Sequence, residues 1–529
     1  MIRIFASLLV AMLLISCAEQ EAPMAEPSIH EFELDEITIS ELNEAYDSGK
    51  YTAVQVVELY ISRIEALNKV GPHLSAIIAV NPDALTIAAA LDAERATSGP
   101  RSPMHGIPVL LKDNINTSDP MPTTAGSIAL IDNYATKDSP LAASLREAGA
   151  IIIAKANLSE WANFRSTHSS SGWSGMGGQT RHPYLLTANT SGSSSGSGVA
   201  AAANMTAVAI GTETNGSVVS PAASNGVVGI KPTVGLVSRT GIVPIAESHD
   251  TAGPMTRTVA DGAYLLTAMV SSNPEDPRSL EQPADKINYA DHLKADGLAG
   301  KRIGVIRSPF NLRDGLAPIF DENVDVMKSF GAIIIDNLEF GDRAAIGKAS
   351  GLVFRYEFKH YLNAYLAGTP DTVKSRTMAD IIAFNRANAD KEMPYFKQEN
   401  FLTSIEKGPL TDPEYLKALE DSITAMQTLI NTLMDEHDLD MILLPSKNPA
   451  VSQDLINGDR SSGGGTSSYA AISGYPSITV PMGFINVLPV SLSFIGRAYT
   501  EAELIEAAYA FEQATKARQK PKFIDYMYE

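Results

Sequence analysis

The chain has 529 residues, and its 41 Lys and Arg residues against 61 Asp and Glu residues give a formal net charge of −20 at pH 7. This acidic balance argues against nucleic acid as a partner, because phosphates need a basic surface. The single cysteine excludes a disulfide scaffold and any site built from several cysteines. With 44% hydrophobic and 19% charged residues, a large soluble enzyme is the leading class.

The N-terminus has the pattern of an export signal. Arg3 precedes an apolar run, Ile4 to Ile15, which is too short to remain as a membrane-spanning helix. The run ends in LISC, which resembles the lipobox of bacterial lipoproteins, a family in which the cysteine is lipidated. We therefore predict a signal peptide over residues 1–16, a lipid anchor on Cys17 and a cell-envelope location, with the outer membrane favoured by Ala18. A plain signal peptide with an incidental cysteine is the alternative.

Folded structure is predicted from residue 37 to the C-terminus. Residues 17–36 are acidic and contain prolines, which predicts a flexible tether. Thr38 and Thr52 each fit the first position of a capping box and so predict a helix start. Short apolar runs predict buried strands, with helical segments between the first three: 75–80, 109–111, 150–154, 301–306, 441–444 and 477–480. This alternation predicts an α/β fold in one large domain, and residues 351–436 read as mainly helical and could form a lobe over the site.

Residues 191–226 are dense in glycine, serine and alanine. A segment such as GSSSGSG is typical of flexible linkers, yet the run from Val199 to Ile210 that follows is suited to burial. Between buried elements, a Gly/Ser loop lets backbone N–H groups converge on an anion or a developing oxyanion. Phosphate is the weaker ligand, because the stretch lacks the P-loop ending and the order strand-GxGxxG-helix.

Several motifs together resemble the amidase signature family. They are HGIPVLLKDNI, GSSSGSG, IGTETNGSVVSPAASNG and DTAGPMTRTVAD, in register from about residue 104 to residue 261. NLSEWANFRS and SGWSGMGGQTRHPY are most similar to bacterial peptide amidases. The resemblance implies a mixed, twisted β-sheet covered by helices, and hydrolysis of linear carboxamides, with C-terminal amides of peptides as one substrate class.

The resemblance also implies a Ser–Ser–Lys triad with a cis peptide at the middle serine. Matched motif to motif, the base is Lys112, the middle serine is Ser193 and the nucleophile is Ser217. The oxyanion hole is implied to consist of backbone N–H groups of Thr214, Asn215, Gly216 and Ser217. Many members have Gly-Gly-Ser where this chain has Asn215-Gly216-Ser217, and we expect Asn215 to tolerate a left-handed backbone there.

This chemistry has a physical basis without histidine. A serine hydroxyl needs a base, and a lysine can serve only when it is neutral, which burial favours. Lys112 follows the apolar run VLL, so its burial is expected. Ser194 is the alternative to Ser193 as the middle serine, and Asp113 is expected to have a structural role. Two patterns of other serine enzymes also occur, G-x-S-x-G at residues 192–196 and S-x-x-K at residues 404–407, and we interpret both as chance matches.

The nine histidines include no H-E-x-x-H and no pair four residues apart, so we predict no metal site. We also predict no cofactor. The predicted partners are a small or peptide amide substrate and, through the anchor, a membrane; the oligomeric state stays open. Two other functions are a glutamine-hydrolysing amidotransferase subunit and a non-catalytic peptide-binding lipoprotein. Four aromatic residues could line the substrate cleft or pack in the core: Trp161, Phe164, Trp173 and Tyr184.

Overall fold

The structure is a computed structural model that describes residues 31–307, 315–341, 343–459 and 465–527. Thirteen strands lie within these residues: β1 Ile77–Val80, β2 Pro108–Lys112, β3 Ile151–Ala156, β4 Trp173–Ser174, β5 Gly178–Gln179, β6 Val208–Glu213, β7 Val228–Lys231, β8 Thr251–Thr256, β9 Arg302–Ile306, β10 Ile333–Leu338, β11 Met441–Pro445, β12 Ser477–Ile485 and β13 Leu488–Ile495. Eleven of them form one mixed sheet in the order β1-β3-β2-β6-β8-β7-β12-β13-β11-β9-β10. The fold is therefore α/β with a mixed sheet, as predicted.

Helices surround this sheet. Those of the described residues are α1 Ile39–Asp47, α2 Ala53–Asn68, α3 Ala84–Ser98, α4 Pro140–Glu147, α5 Ser195–Ala202, α6 Val219–Ser224, α7 Val259–Met269, α8 Leu316–Ser329, α9 Ala344–Ala367, α10 Met378–Ala387, α11 Ala389–Glu392, α12 Glu399–Ile405, α13 Pro413–Leu419, α14 Ala425–Glu436, α15 Ser467–Ser473 and α16 Glu501–Thr515. Both predicted capping boxes, at Thr38 and Thr52, are present. The segment 351–436 is mainly helical, as predicted, from within α9 to the end of α14.

The centre of the sheet positions the candidate site. Strand β2 pairs in parallel with β3 on one side and with β6 on the other. Neighbouring parallel strands end at the same edge of a sheet, so Lys112 and Glu213, the last residues of β2 and β6, both lie at this edge. Both strands are buried along their whole length, which explains their continuous apolar runs.

The folded part of the chain begins earlier than predicted. Leu34 is fully buried in the core, and Phe32 packs against it, although both fall in the predicted tether. Glu36 forms an ion pair with Arg518 near the C-terminus, with 2.7 Å between Oε1 and Nη2. The tether prediction was wrong for these residues, because it rested on their acidic composition, whereas Phe32 and Leu34 pack in the core and the carboxylate of Glu36 is paired. The predicted signal peptide and Cys17 lie outside the described residues.

No helix in the described part of the chain is both long and apolar enough to cross a membrane.

Candidate active site

Lys112 ends β2 with its side chain fully buried. Its Nζ lies 2.8 Å from Ser193 Oγ, 3.0 Å from Ser194 Oγ and 2.9 Å from Thr212 Oγ1. Burial lowers the pKa of Lys112 to about 7, while the negative charges of Asp250 and Glu213 oppose this shift. A substantial fraction of the amine is therefore neutral near pH 7 and able to accept a proton.

The two candidate serines differ in how many hydrogen bonds they already make. Ser194 Oγ donates to Thr212 O at 3.0 Å and accepts from Thr212 N at 3.1 Å, in addition to its bond with Lys112. Ser193 Oγ accepts from Lys112, and within the described residues it has no other protein partner. Ser193 therefore keeps a free hydrogen-bonding position, whereas Ser194 braces the base against β6. The peptide bond Gly192–Ser193 is cis, as the resemblance implied.

Ser217 lies in the loop between β6 and α6, against the segment that contains Ser193. Its carbonyl oxygen accepts a hydrogen bond from Ser194 N at 3.2 Å, and the side chain of Ser217 is only slightly exposed. In the described part of the chain, Ser217 Oγ makes no hydrogen bond to protein, so none joins it to Ser193 Oγ. The structure thus brings Lys112 and Ser193 into direct contact and holds the backbone of Ser217 next to them.

Glu213 determines the shape of this loop, a role that the sequence analysis missed. Its Oε1 accepts from Gly216 N at 2.8 Å, and its Oε2 accepts from Val218 N at 2.8 Å and Val219 N at 3.0 Å. The predicted oxyanion hole needs a correction at Gly216, because that N–H is already donated to a carboxylate. The N–H groups of Thr214, Asn215 and Ser217 donate to no protein acceptor among the described residues. These three remain available for an oxyanion.

The departure from Gly-Gly-Ser is accommodated differently from our expectation. The left-handed residue is Gly216, with φ at +83°, whereas Asn215 is not among the residues with a positive φ. Asn215 instead uses its side chain, whose Oδ1 accepts a hydrogen bond from Ser467 Oγ at 3.0 Å. An asparagine in place of glycine therefore ties the loop to α15.

Asp113 has the structural role that was considered for it. Its carboxylate accepts hydrogen bonds from the backbone and the hydroxyl of Thr124. Burial raises the pKa of Asp113 to about 6, against the opposing charge of Lys155.

The aromatic residues considered for the substrate cleft pack against other aromatic side chains: Trp161 contacts Phe401, Phe164 contacts Phe358, Trp173 contacts Phe396, and Tyr184 contacts Phe484. No group of three or more His, Cys, Asp or Glu residues in the described ranges could hold a metal ion.

A cavity of about 260 Å³ is lined in part by Thr212, whose hydroxyl contacts the amine of Lys112. Thr212, Thr214, Asn114 and Asp250 line one part of it, and residues of α9 line another. Lys112, Ser193 and Ser217 are not part of its walls. The cavity therefore reaches the candidate site through Thr212 and Thr214 and does not itself contain the reacting groups.

Comparison with known proteins gives a consistent result. The Amidase family model matches residues 55–505. A probable amidase of Arabidopsis thaliana is 41% identical over 505 residues, which covers 93% of each chain. The A subunit of a glutamyl-tRNA(Gln) amidotransferase from Thermoanaerobacter pseudethanolicus is 34% identical, over 93% of this chain and 99% of that subunit.

Among solved structures, the native peptide amidase of Stenotrophomonas maltophilia has a similar fold, with a TM-score of 0.88 and 43% sequence identity. The match covers 93% of this chain and all of that one. Together with the family model, these matches extend well beyond the motifs at the site. The chain therefore belongs to the amidase signature family, and it is a hydrolase that acts on amide C–N bonds.

Proposed function

We propose that this protein hydrolyses linear carboxamides, including C-terminal amides of peptides, through Lys112, Ser193 and Ser217. The observation that supports this most strongly is the contact of a fully buried lysine, with its pKa lowered to about 7, with Ser193 Oγ. The similarity to a peptide amidase over nearly the whole chain supports the substrate class.

In the proposed mechanism, neutral Lys112 takes the proton of Ser193, and Ser193 takes the proton of Ser217. At the same time, Ser217 Oγ attacks the amide carbon. The N–H groups of Thr214, Asn215 and Ser217 stabilise the oxyanion. When the C–N bond breaks, the proton on Lys112 returns through Ser193 to the leaving nitrogen, and ammonia departs. Water then attacks the acyl-enzyme with the same groups as base and relay, which releases the carboxylic acid and regenerates Ser217.

Ammonia release from three substrate classes tests this function: peptide amides, fatty amides and free glutamine. We expect turnover of peptide amides by the wild-type chain and none above background by Ser217→Ala. Ser224→Ala is the matched control, because Ser224 lies on α6, is buried and has a hydroxyl with no hydrogen-bond partner among the described residues. Full activity of Ser217→Ala, or equal loss in the control, would refute the proposed nucleophile.

A second candidate function is that of an amidotransferase subunit, which the similarity to the glutamyl-tRNA(Gln) amidotransferase subunit favours. The two functions differ in their need for partners. If the purified chain hydrolyses peptide amides alone, the simple amidase is supported. Glutamine hydrolysis that appears only after partner subunits are added would support the amidotransferase instead. Peptide-amide binding without any ammonia release would favour the non-catalytic peptide-binding lipoprotein.

We also propose that the chain is a lipoprotein of the cell envelope, anchored through Cys17. The support is the sequence alone: an apolar run followed by LISC. Expression of the full chain and of Cys17→Ala in a bacterium, followed by membrane fractionation, tests this. We expect wild type in the outer-membrane fraction and the variant largely out of it; equal distribution would refute the anchor.

A further inference from the structure

We infer that Asp250 is a positioning residue of the active site, which orients the nucleophile loop through Thr214 and supplies a fixed negative charge beside Lys112. This inference rests on the proposed function, since it gives Lys112 the role of the base. Asp250 lies directly before β8, the strand that pairs with β6. It is thus brought to the same edge of the sheet as the ends of β2 and β6.

The first support is a direct hydrogen bond. Thr214 Oγ1 donates to Asp250 Oδ1 at 2.5 Å, and Thr214 is the residue that opens the loop to Ser217. Because the backbone N–H of Thr214 is one of the three available oxyanion donors, the orientation of this residue affects the reaction directly. Asp250 therefore acts on the nucleophile loop through a side chain, without touching the substrate.

The second support is that the carboxylate of Asp250 is itself held in place. Its Oδ2 accepts from Ile245 N at 2.8 Å and from Ala246 N at 3.0 Å. From the opposite side, Ser248 N and Oγ each donate at 3.0 Å to Glu357 Oε2 on α9. The loop 245–250 is thus fixed between the sheet and the helical region, so its charge stays at a constant position relative to Lys112.

The third support is electrostatic. Within the part of the chain that the structure describes, the negative charges that act on Lys112 are those of Asp250, in the segment before β8, and Glu213, at the end of β6. Asp250 in turn faces Arg239, which favours its ionised form, and Glu247 also lies in this group of charges. Burial raises the pKa of Asp250 to about 6, so the carboxylate is mainly ionised at neutral pH. An anion near Lys112 stabilises its protonated form, which sets the pH above which the base is free.

The pH dependence of kcat/KM in the full chain distinguishes this role from a merely structural one. Asp250→Asn keeps the shape but removes the charge, so the pKa of Lys112 should fall further and the acid limb should move down by about one pH unit. Thr214→Val removes the hydrogen bond, which also helps to keep Asp250 ionised, so kcat should be compared on the plateau above the acid limb, where it should be several-fold lower than in wild type. Glu275→Gln is the control, since Glu275 is an exposed anion that lines the same 260 Å³ cavity as Asp250. It should change neither kcat nor the pH of the acid limb.

The outcomes separate this inference from the proposed function. If the wild type shows an acid limb and Asp250→Asn shows it at the same pH, the role of the charge is overturned. Unchanged kcat in Thr214→Val would overturn the positioning role. The urea unfolding curve of Asp250→Asn shows whether this variant folds. If it does not, Thr214→Val still decides the positioning role. Asp250→Glu then decides the electrostatic role: its charge is retained but displaced, so the acid limb should shift, and an acid limb at the wild-type pH would overturn this role. Absence of any acid limb in the wild type would instead count against Lys112 as the base.

Discussion

At Gly216 the backbone has φ of +83°, and a Cβ there would lie 2.7 Å from Ser467 Oγ and 2.9 Å from Ser220 Oγ. A non-glycine residue in such a conformation costs about 1–3 kcal/mol, and here its side chain would also push the loop away from α15. We expect Gly216→Ala to lower kcat at least about tenfold, because Ser217 would be displaced. Steady-state ammonia release together with urea unfolding measures both effects, and a variant equal to wild type in both would contradict this account.

The pKa of Lys112 leads to a second prediction for a single residue. The base must be neutral, so kcat/KM should fall about tenfold per pH unit below pH 7 and level off above it. Lys112→Arg keeps a cation that stays protonated at any working pH, so activity should drop by about 10²–10⁴ across the whole range. A pH–rate profile of both proteins is the measurement. An arginine variant that recovers activity at high pH would exclude Lys112 as the base.

The residues of the site were predictable to different degrees. The resemblance located Lys112 and Ser193, and their contact was expected from it. The hydrogen bonds that Glu213 accepts from the loop and that Asp250 accepts from Thr214 were not predicted. Asp250 is distant in sequence and is brought to this edge only by the pairing of β8 with β6. The Ser193–Ser194 ambiguity likewise needed coordinates, since neighbouring serines in one loop differ only in the partners that the fold provides.

Among the elements, the Gly/Ser segment shows why composition alone misleads. It reads as a linker, yet residues 193–198 are all buried, and α5 begins within it. A Cβ on Gly196 would overlap the backbone of Ala76 and Asn157. Glycine is thus required by close packing of this helix start against neighbouring chain segments, and not by flexibility.

This packing predicts opposite results for two glycine substitutions in helices. Gly196→Ala should shift the start of α5 and with it Ser193, so we expect loss of most activity and of several kcal/mol of stability, or failure to fold. Gly347→Ala, at an exposed position of α9 where a Cβ would meet no atom of the described residues within 4 Å, should be neutral or stabilise the fold by up to about 1 kcal/mol. Urea unfolding of both variants tests this, and a fully stable, active Gly196→Ala would contradict it.

For the whole molecule, local patterns predicted several strands but not their order. The predicted strands 75–80, 109–111 and 150–154 correspond to β1, β2 and β3, with ends that differ by one or two residues. Strand β8 was read only as part of a motif, although it lies between β6 and β7 in the sheet. Pairing between distant segments depends on tertiary packing, so a periodicity analysis of each segment cannot supply it.

Three strands of this sheet contain a fully buried lysine, and together these residues make the stability of the whole chain depend on pH. Burial lowers the pKa of Lys112 to about 7 and those of Lys155 and Lys231 to about 8. In the unfolded chain each lysine keeps its proton to about pH 10.4. Between pH 8 and pH 9.5 the unfolded state therefore binds more protons, so the free energy of unfolding should rise with pH, by up to about 1.4 kcal/mol per pH unit for each lysine.

Urea unfolding at pH 8.0, 8.75 and 9.5 tests this, with the range ending before tyrosines titrate in the unfolded chain. Lys231→Met should reduce the slope, because the proton difference of this lysine is removed, whereas Lys50→Met, at an exposed surface position, should leave the slope unchanged. The sign is decisive. A free energy of unfolding that falls over this range would mean that the buried amines remain charged in the folded protein, and the neutral base proposed at position 112 would lose its physical foundation.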